Sequence, residues 1–261
     1  MQPPARRLLH ATLFAALAAC VCLCIFNAYV TGKLHGIDAK LNYGVENDVF
    51  ALSIAISESV YGFHEGYIGR PEVEAALKNI LMPQDPDQQQ RLAGDRNAIE
   101  SALQAAISLD PATFKRFKSV RAPFVIMPAE DTGLVDFYKL AFGLFGYHAD
   151  AMYKCFFLLL GLSALLFLVQ ARNHLWATCI LVIVLFSFNM LYTLDTFVNR
   201  VDAPSFSSNR NLGVMSIIAT LHLMLFGLMQ GRNASVTAWV MWLVQAALLF
   251  FTLTVRSSAM W

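Results

Sequence analysis

The chain has 261 residues, 57% of them hydrophobic and only 14% charged, with a mean hydropathy of +0.53. That apolar share exceeds what a soluble domain carries and assigns most of the chain to a membrane. A net charge of +1, without a basic run interleaved with aromatics, gives no reason to expect nucleic acid as a partner.

A hydrocarbon core needs about 20 mostly apolar residues to be crossed. The first such segment is 8–30, preceded by Arg6 and Arg7. A signal peptide has a shorter apolar region of about 7–15 residues and a small-residue cleavage site. "NAYVTGK" supplies no such site, so the segment reads as a retained helix. Further spans are expected at 152–170, 175–194, 214–229 and 238–255, giving an all-α polytopic protein of about five transmembrane helices. Three regions follow: a tail and first helix (1–30), an extracytoplasmic helical region (31–150), and a four-helix membrane region (151–261).

Cys20, Cys22, Cys24, Cys155 and Cys179 all fall inside the expected spans, so no disulfide is implied. Alternate positions on a helix point about 200° apart, so Cys20, Cys22 and Cys24 read as small apolar residues and not as a metal site. Arg6, Arg7, Arg172 and Arg232 mark one side of the membrane as cytoplasmic. The N-terminus then lies inside, and 31–150, the 195–213 loop and the C-terminus lie outside.

In the outer region, Val49, Leu52, Ile56 and Val60 recur at helical spacing and form one apolar face. Pro71 opens "PEVEAALKNIL", with acids in the first turn and Lys78 in the last, as the helix dipole favours. "MPQDPDQQQ" reads as a polar, proline-broken linker, and "RNAIESALQAAISL" as a helix. Asp110 and Pro111 have the form of an N-cap and first position for "PATFKRFK". Lys115, Arg116, Lys118 and Arg121 then make a solvated basic face or a contact with lipid phosphate. Before the second span, Leu134, Phe137, Tyr138, Ala141, Phe142 and Phe145 share one side of a helix. Such a helix lies in the membrane interface or packs in the core of the outer region.

Soluble-enzyme signatures are absent: no P-loop, GxGxxG, GxSxG, HExxH or CxxC. His64 and Glu65 are set among Gly62, Gly66 and Gly69, and read as a turn. His222 inside the fourth span is expected to be neutral and hydrogen-bonded to a neighbouring helix. The spans hold no acidic partner for a proton relay, which argues against an ion-coupled transporter.

The remaining chemistry lies in "YGVENDVFALSIAISESVYG", where Glu46 and Asp48 come shortly after the first span. Asp48 or Asn47 would cap the helix, and a carboxylate suits its positive end. Outside a membrane, the same carboxylate would also serve as general base on an acceptor hydroxyl while arginines hold the phosphate of a lipid-linked donor.

"ENDVFALSIAISESVYG" resembles the acidic element and aromatic-apolar helix that follow the first span in GT-C type membrane glycosyltransferases, the class of the protein O-mannosyltransferases and lipid A aminoarabinose transferases. "VDFYKLAFGLFGYHADAMYKCFFLLLGLSALLFLVQARN" is similar to that class's interfacial helix and second span. "TLTVRSSAMW" resembles uncharacterised polytopic proteins of bacterial polysaccharide loci. The resemblance covers about half the chain, the N-terminal half of the class. It departs at Glu-Asn-Asp, where the class has an adjacent acidic pair, and at "EDTGLVD", where it has a proline-rich entry.

The resemblance implies a multi-pass protein of the bacterial cytoplasmic (inner) membrane that transfers a sugar from a polyprenyl-phosphate donor on the outer face. Asp48 is the expected base, with Glu46 supporting it, and Arg210 and Arg256 are expected on donor phosphate. Mobile surface arginines are the plainer reading of those two. No cofactor beyond the lipid-linked sugar is implied, and the sequence leaves metal dependence open. Membrane lipid and a partner subunit or C-terminal half are the expected partners, since the chain reads as less than a complete catalytic unit. The competing expectation is a non-catalytic membrane subunit whose outer helical region binds a partner protein.

Overall fold

In the computed structural model, residues 4–39, 45–64, 68–92, 94–114, 132–198, 209–229 and 235–255 are described, and every regular element among them is helical. Helix α1, Pro4–Leu34, runs past its expected end because nothing in "TGKL" breaks it. It stops where Gly36 turns to φ 69 and donates its amide to the Lys33 carbonyl, the left-handed stop for which glycine is suited. Leu8, Leu9, Leu13, Leu23 and Phe26 stay exposed along it, as on a helix that faces lipid.

Helices α7 (Ala151–Ala171), α8 (Leu175–Val198), α9 (Asn209–Met229) and α10 (Val236–Val255) complete the bundle. Among the described residues, four helices are long and apolar enough to cross a membrane: α1, α7, α8 and α10. The fifth expected span falls on α9, whose apolar stretch is shorter, Leu212–Leu228. It lies antiparallel to α10, with the Ser216 and Thr252 hydroxyls 2.8 Å apart and the Phe226 ring 4.7 Å from Trp239.

Tyr153, Phe156, Leu160 and Phe167 are all buried on α7, which packs against α1, α6, α8, α9 and α10. A helix apolar all round takes the middle of a bundle. Polar side chains tie α1 to α8: the Asn189 amide donates to the Cys24 carbonyl at 2.9 Å, and Asn27 donates to Asn189 Oδ1 at 3.0 Å. His222 is fully buried on α9, but among the described residues neither ring nitrogen has a hydrogen-bond partner, in place of the expected bond to a neighbouring helix.

The described residues of the 31–150 region cover the end of the bundle where α1 and α10 finish and α7 begins. Helix α2, Val45–Ser59, is central and not amphipathic: from Asp48 to Ser57 only Phe50 is partly exposed. Val49, Leu52 and Ile56 are buried as expected, while Val60 lies past the helix end and is 37% exposed. Helix α3, Pro71–Leu81, matches its expectation and buries Val73, Leu77 and Leu81.

The expected linker contains a short helix, α4, Pro86–Leu92, started by Asp85, whose carboxylate accepts from the Asp87 amide at 3.0 Å. Proline at a first helical position starts a helix as readily as proline elsewhere breaks one. Helix α5, Arg96–Ile107, is capped by Asp95, which accepts from the Asn97 amide at 2.8 Å. Asp110 caps only a single 3₁₀ turn, Pro111–Thr113, because Phe114 is already extended (φ −68, ψ 127). Lys115, Arg116, Lys118, Arg121 and Glu65 lie outside the described residues.

Helix α6, Thr132–Phe145, buries Leu134, Phe137, Tyr138, Ala141 and Phe142. This apolar side packs against α2, α7 and α10, so protein fills the face that the pattern offered to the membrane interface. Leu140 and Leu144 remain exposed on the helix's other side.

Candidate functional site

Helix α2 starts at Val45, so Asp48 is its fourth residue and does not occupy the N-cap. Its side chain is fully buried, and the Tyr138 hydroxyl donates to Asp48 Oδ1 at 2.9 Å. A buried carboxylate is tolerated only with such donors, and a hydrogen bond to a charged acceptor is about twice as strong as a neutral one.

The tyrosine is placed by the docking of α6 on the end of α10. Gly133 permits this approach, since a Cβ there would strike the backbone of Thr254 and Val255. One turn further along α6, Phe137 meets Phe251 edge-on at 5.7 Å. The Asp48–Tyr138 pair therefore joins α2 to the helix that docks on the end of α10, which is next in sequence to Arg256. Arg256 itself lies outside the described residues. Arg210 and Glu46 fall in the first turns of α9 and α2, and their side chains are likewise outside the description. Asp48 is thus the one expected site residue whose side chain is placed, and Tyr138 is the partner that sequence reading missed.

A general base has to come within about 2.6–3.2 Å of the proton it takes. Asp48 is closed off from solvent in this conformation, so an acceptor would reach it only after the groups packed around it part. On the exposed side of α6, Lys139 Nζ lies 2.8 Å from Glu58 and 3.3 Å from Asp136. The hydrogen bond that Lys139 donates to Glu58 raises the pKa of its ammonium above the usual range, so it is a fixed cation and not a base.

A second polar layer joins the helical region to the other side of the bundle. Asp38 lies in a 3₁₀ turn, Ile37–Ala39, and is 4% exposed. The Arg96 guanidinium at the start of α5 bonds to it and lies 3.8 Å from Asp150, which also meets Lys154 at 2.9 Å. Just within the bundle, Tyr153 donates to the Tyr29 carbonyl, and Gly32 leaves room for the Tyr153 and Tyr192 hydroxyls against α1. Asp38, Arg96 and Asp150 are far apart in sequence, and no motif links them.

Below this layer an apolar groove of about 340 Å³ runs between α1 and α7, with Gly161 and Ala164 along one wall. Phe26 and Leu165 line it and are themselves exposed, so it opens sideways toward lipid. Its upper end is Tyr29, 5.1 Å from the Tyr153 ring and with Lys33 Nζ 5.8 Å from its centroid. Among the described residues, no group of three or more histidines, cysteines or acids is placed to hold a metal ion. Compared with known proteins, the chain matches no family model, no curated protein and no solved structure.

Proposed function

We propose that this chain is a membrane glycosyltransferase of GT-C type, or part of one, that transfers a sugar from a polyprenyl-phosphate donor at the outer face of a bacterial inner membrane during surface glycan assembly. The observation that carries the reading is Asp48: a carboxylate held by Tyr138 within an apolar helix junction, at the end of the bundle where α10 finishes. Asp48 is the base in this reading and Glu46 its neighbour in the same turn, with Arg210 and Arg256 on the donor phosphate. The lipid-open groove between α1 and α7 is in keeping with a protein that handles a lipid-linked substrate. Five crossings, with the N-terminus in the cytoplasm, belong to the same proposal. Leu140 and Leu144 on the free side of α6 would then rest at the membrane surface.

One observation favours a second reading, a non-catalytic subunit that binds a partner through its outer helices. Asp48 is fully buried, as a carboxylate that only ties α2 to α6 would be. Asp48→Asn in the assembled protein separates the two, because asparagine keeps an oxygen for Tyr138 but has no basic carboxylate. Loss of a general base costs typically 10²- to 10⁴-fold in rate. The enzyme reading expects that loss in glycan transfer at an unchanged melting temperature. Normal transfer by Asp48→Asn, with loss of folded protein in Asp48→Ala, would leave Asp48 a structural residue.

A further inference from the structure

Three polar side chains in the middle of the bundle take no part in that reading. His222 on α9 is fully buried, and no protein group among the described residues bonds to either ring nitrogen. Gln245 on α10 is also fully buried; its amide nitrogen donates to Ser163 Oγ on α7 at 2.8 Å, while its Oε1 has no partner among the described residues.

These groups lie at one level. The Ser216–Thr252 contact fixes the antiparallel register of α9 and α10. Counting equally along both helices from that contact brings His222 opposite Ala246, beside Gln245. The Phe226–Trp242 contact, 6.1 Å between ring centroids, gives the same register from the other side. The third wall is α7, where Phe167 presents its ring to His222 at 6.2 Å, one turn from Ser163.

A neutral imidazole has one donor and one acceptor, and an amide oxygen has two lone pairs. Left dry between membrane helices, such groups are expensive, because hydrocarbon offers no alternative partner. A buried water is held where two to four polar atoms converge, and one ring nitrogen of His222 with Gln245 Oε1 supplies two.

We infer that the bundle holds a resident water molecule between His222 and Gln245, in the angle formed by α7, α9 and α10. The water donates to Gln245 Oε1 and exchanges a second hydrogen bond with the imidazole of His222. It completes a chain running from Ser163 through the Gln245 amide to His222, which ties the three helices together by polar contacts at mid-bundle. The site does not depend on the transferase reading and would hold equally in a non-catalytic subunit.

The experiment uses the full chain in lipid bilayers with ¹⁵N-labelled histidine, the His222 signals being assigned from the His222→Phe difference spectrum. Magnetisation transfer from water to the His222 ring is then measured by solid-state NMR. The expected result is a water contact at that ring, reduced at least twofold in Gln245→Leu. Absence of transfer from water to the ring would overturn the inference, as would a direct coupling between a ring nitrogen and the Gln245 side chain. The unsubstituted protein decides the matter alone, so a poorly folded Gln245→Leu variant does not rescue it.

Discussion

Asp48 shows how one side chain can satisfy two accounts whose difference is chemical. Its hydrogen bond from Tyr138 spans 90 positions of sequence and joins the first turn of α2 to the middle of α6. Tyr138→Phe removes a donor from a buried carboxyl group, at a cost of about 1–3 kcal/mol. A lower melting temperature with the helix content of the native protein is expected; an unchanged melting temperature would mean that the bond contributes nothing. Glu46 and Asp48 stand out in the sequence because carboxylates are scarce so close to a membrane span. Tyr138 does not, since its position fits an apolar stripe as well as a donor's place. Lys139, one position on, belongs to the opposite face of α6. Its raised pKa means that the ion pair with Glu58 contributes fully below the ordinary lysine value of 10.5 and is lost only as pH climbs past the folded value. Melting temperatures of the native protein and Lys139→Met should therefore differ by the same small margin from pH 6 to pH 9. As a partly exposed pair it is worth about 0–1 kcal/mol.

Among the helices, α6 is the element on which the arrangement turns, because it touches α2, α7 and α10 at once. Its two interior glycines make opposite expectations. Gly133 meets the backbone of α10, which cannot step aside as a side chain would, so Gly133→Ala should separate the helices and lower the melting temperature. Gly143 faces open space, and alanine there should stabilise by about 0.5–1 kcal/mol through helix propensity alone. Equal effects of the two substitutions would contradict the docking of α6 on α10. The pattern of α6 was legible in the sequence, but what covers its apolar side was not: a stripe of six apolar positions has the same period whether it meets lipid or protein. For the same reason α2 read as one-sided when it is buried nearly all round, since Ser53 and Ser57 look solvent-facing until their hydroxyls are seen returning to the helix's own carbonyls at 2.8 and 2.5 Å. The start of α4 was hidden by its proline, which reads equally as a break and as a first helical residue.

At the scale of the molecule, composition made the membrane class and the all-helical fold legible, because about 20 consecutive apolar residues have few other uses. Sidedness rests on a different kind of information, the placing of a few arginines in short loops, and it decides where the Asp48–Tyr138 junction would act. The covered end of the bundle carries α2 to α6, while the opposite end carries the α7–α8 turn with Arg172; Arg232 lies outside the described residues, and its side is assigned from its place in the sequence. The positive-inside rule is the ground for the proposal that the 31–150 region faces outside. That placement can be tested without knowing the activity. The five native cysteines are Cys20, Cys22, Cys24, Cys155 and Cys179, all on α1, α7 or α8, and can be replaced by alanine or serine before single cysteines are introduced. Gln89→Cys on α4 and Ser207→Cys should react with a membrane-impermeant thiol reagent added to intact cells, and Asn233→Cys should react only after the cells are opened. Labelling of Asn233→Cys in intact cells would invert the map and put Asp48 on the cytoplasmic side. A transferase drawing on an outer-face donor would then have its base on the wrong side of the membrane, whatever Asp48→Asn did to stability.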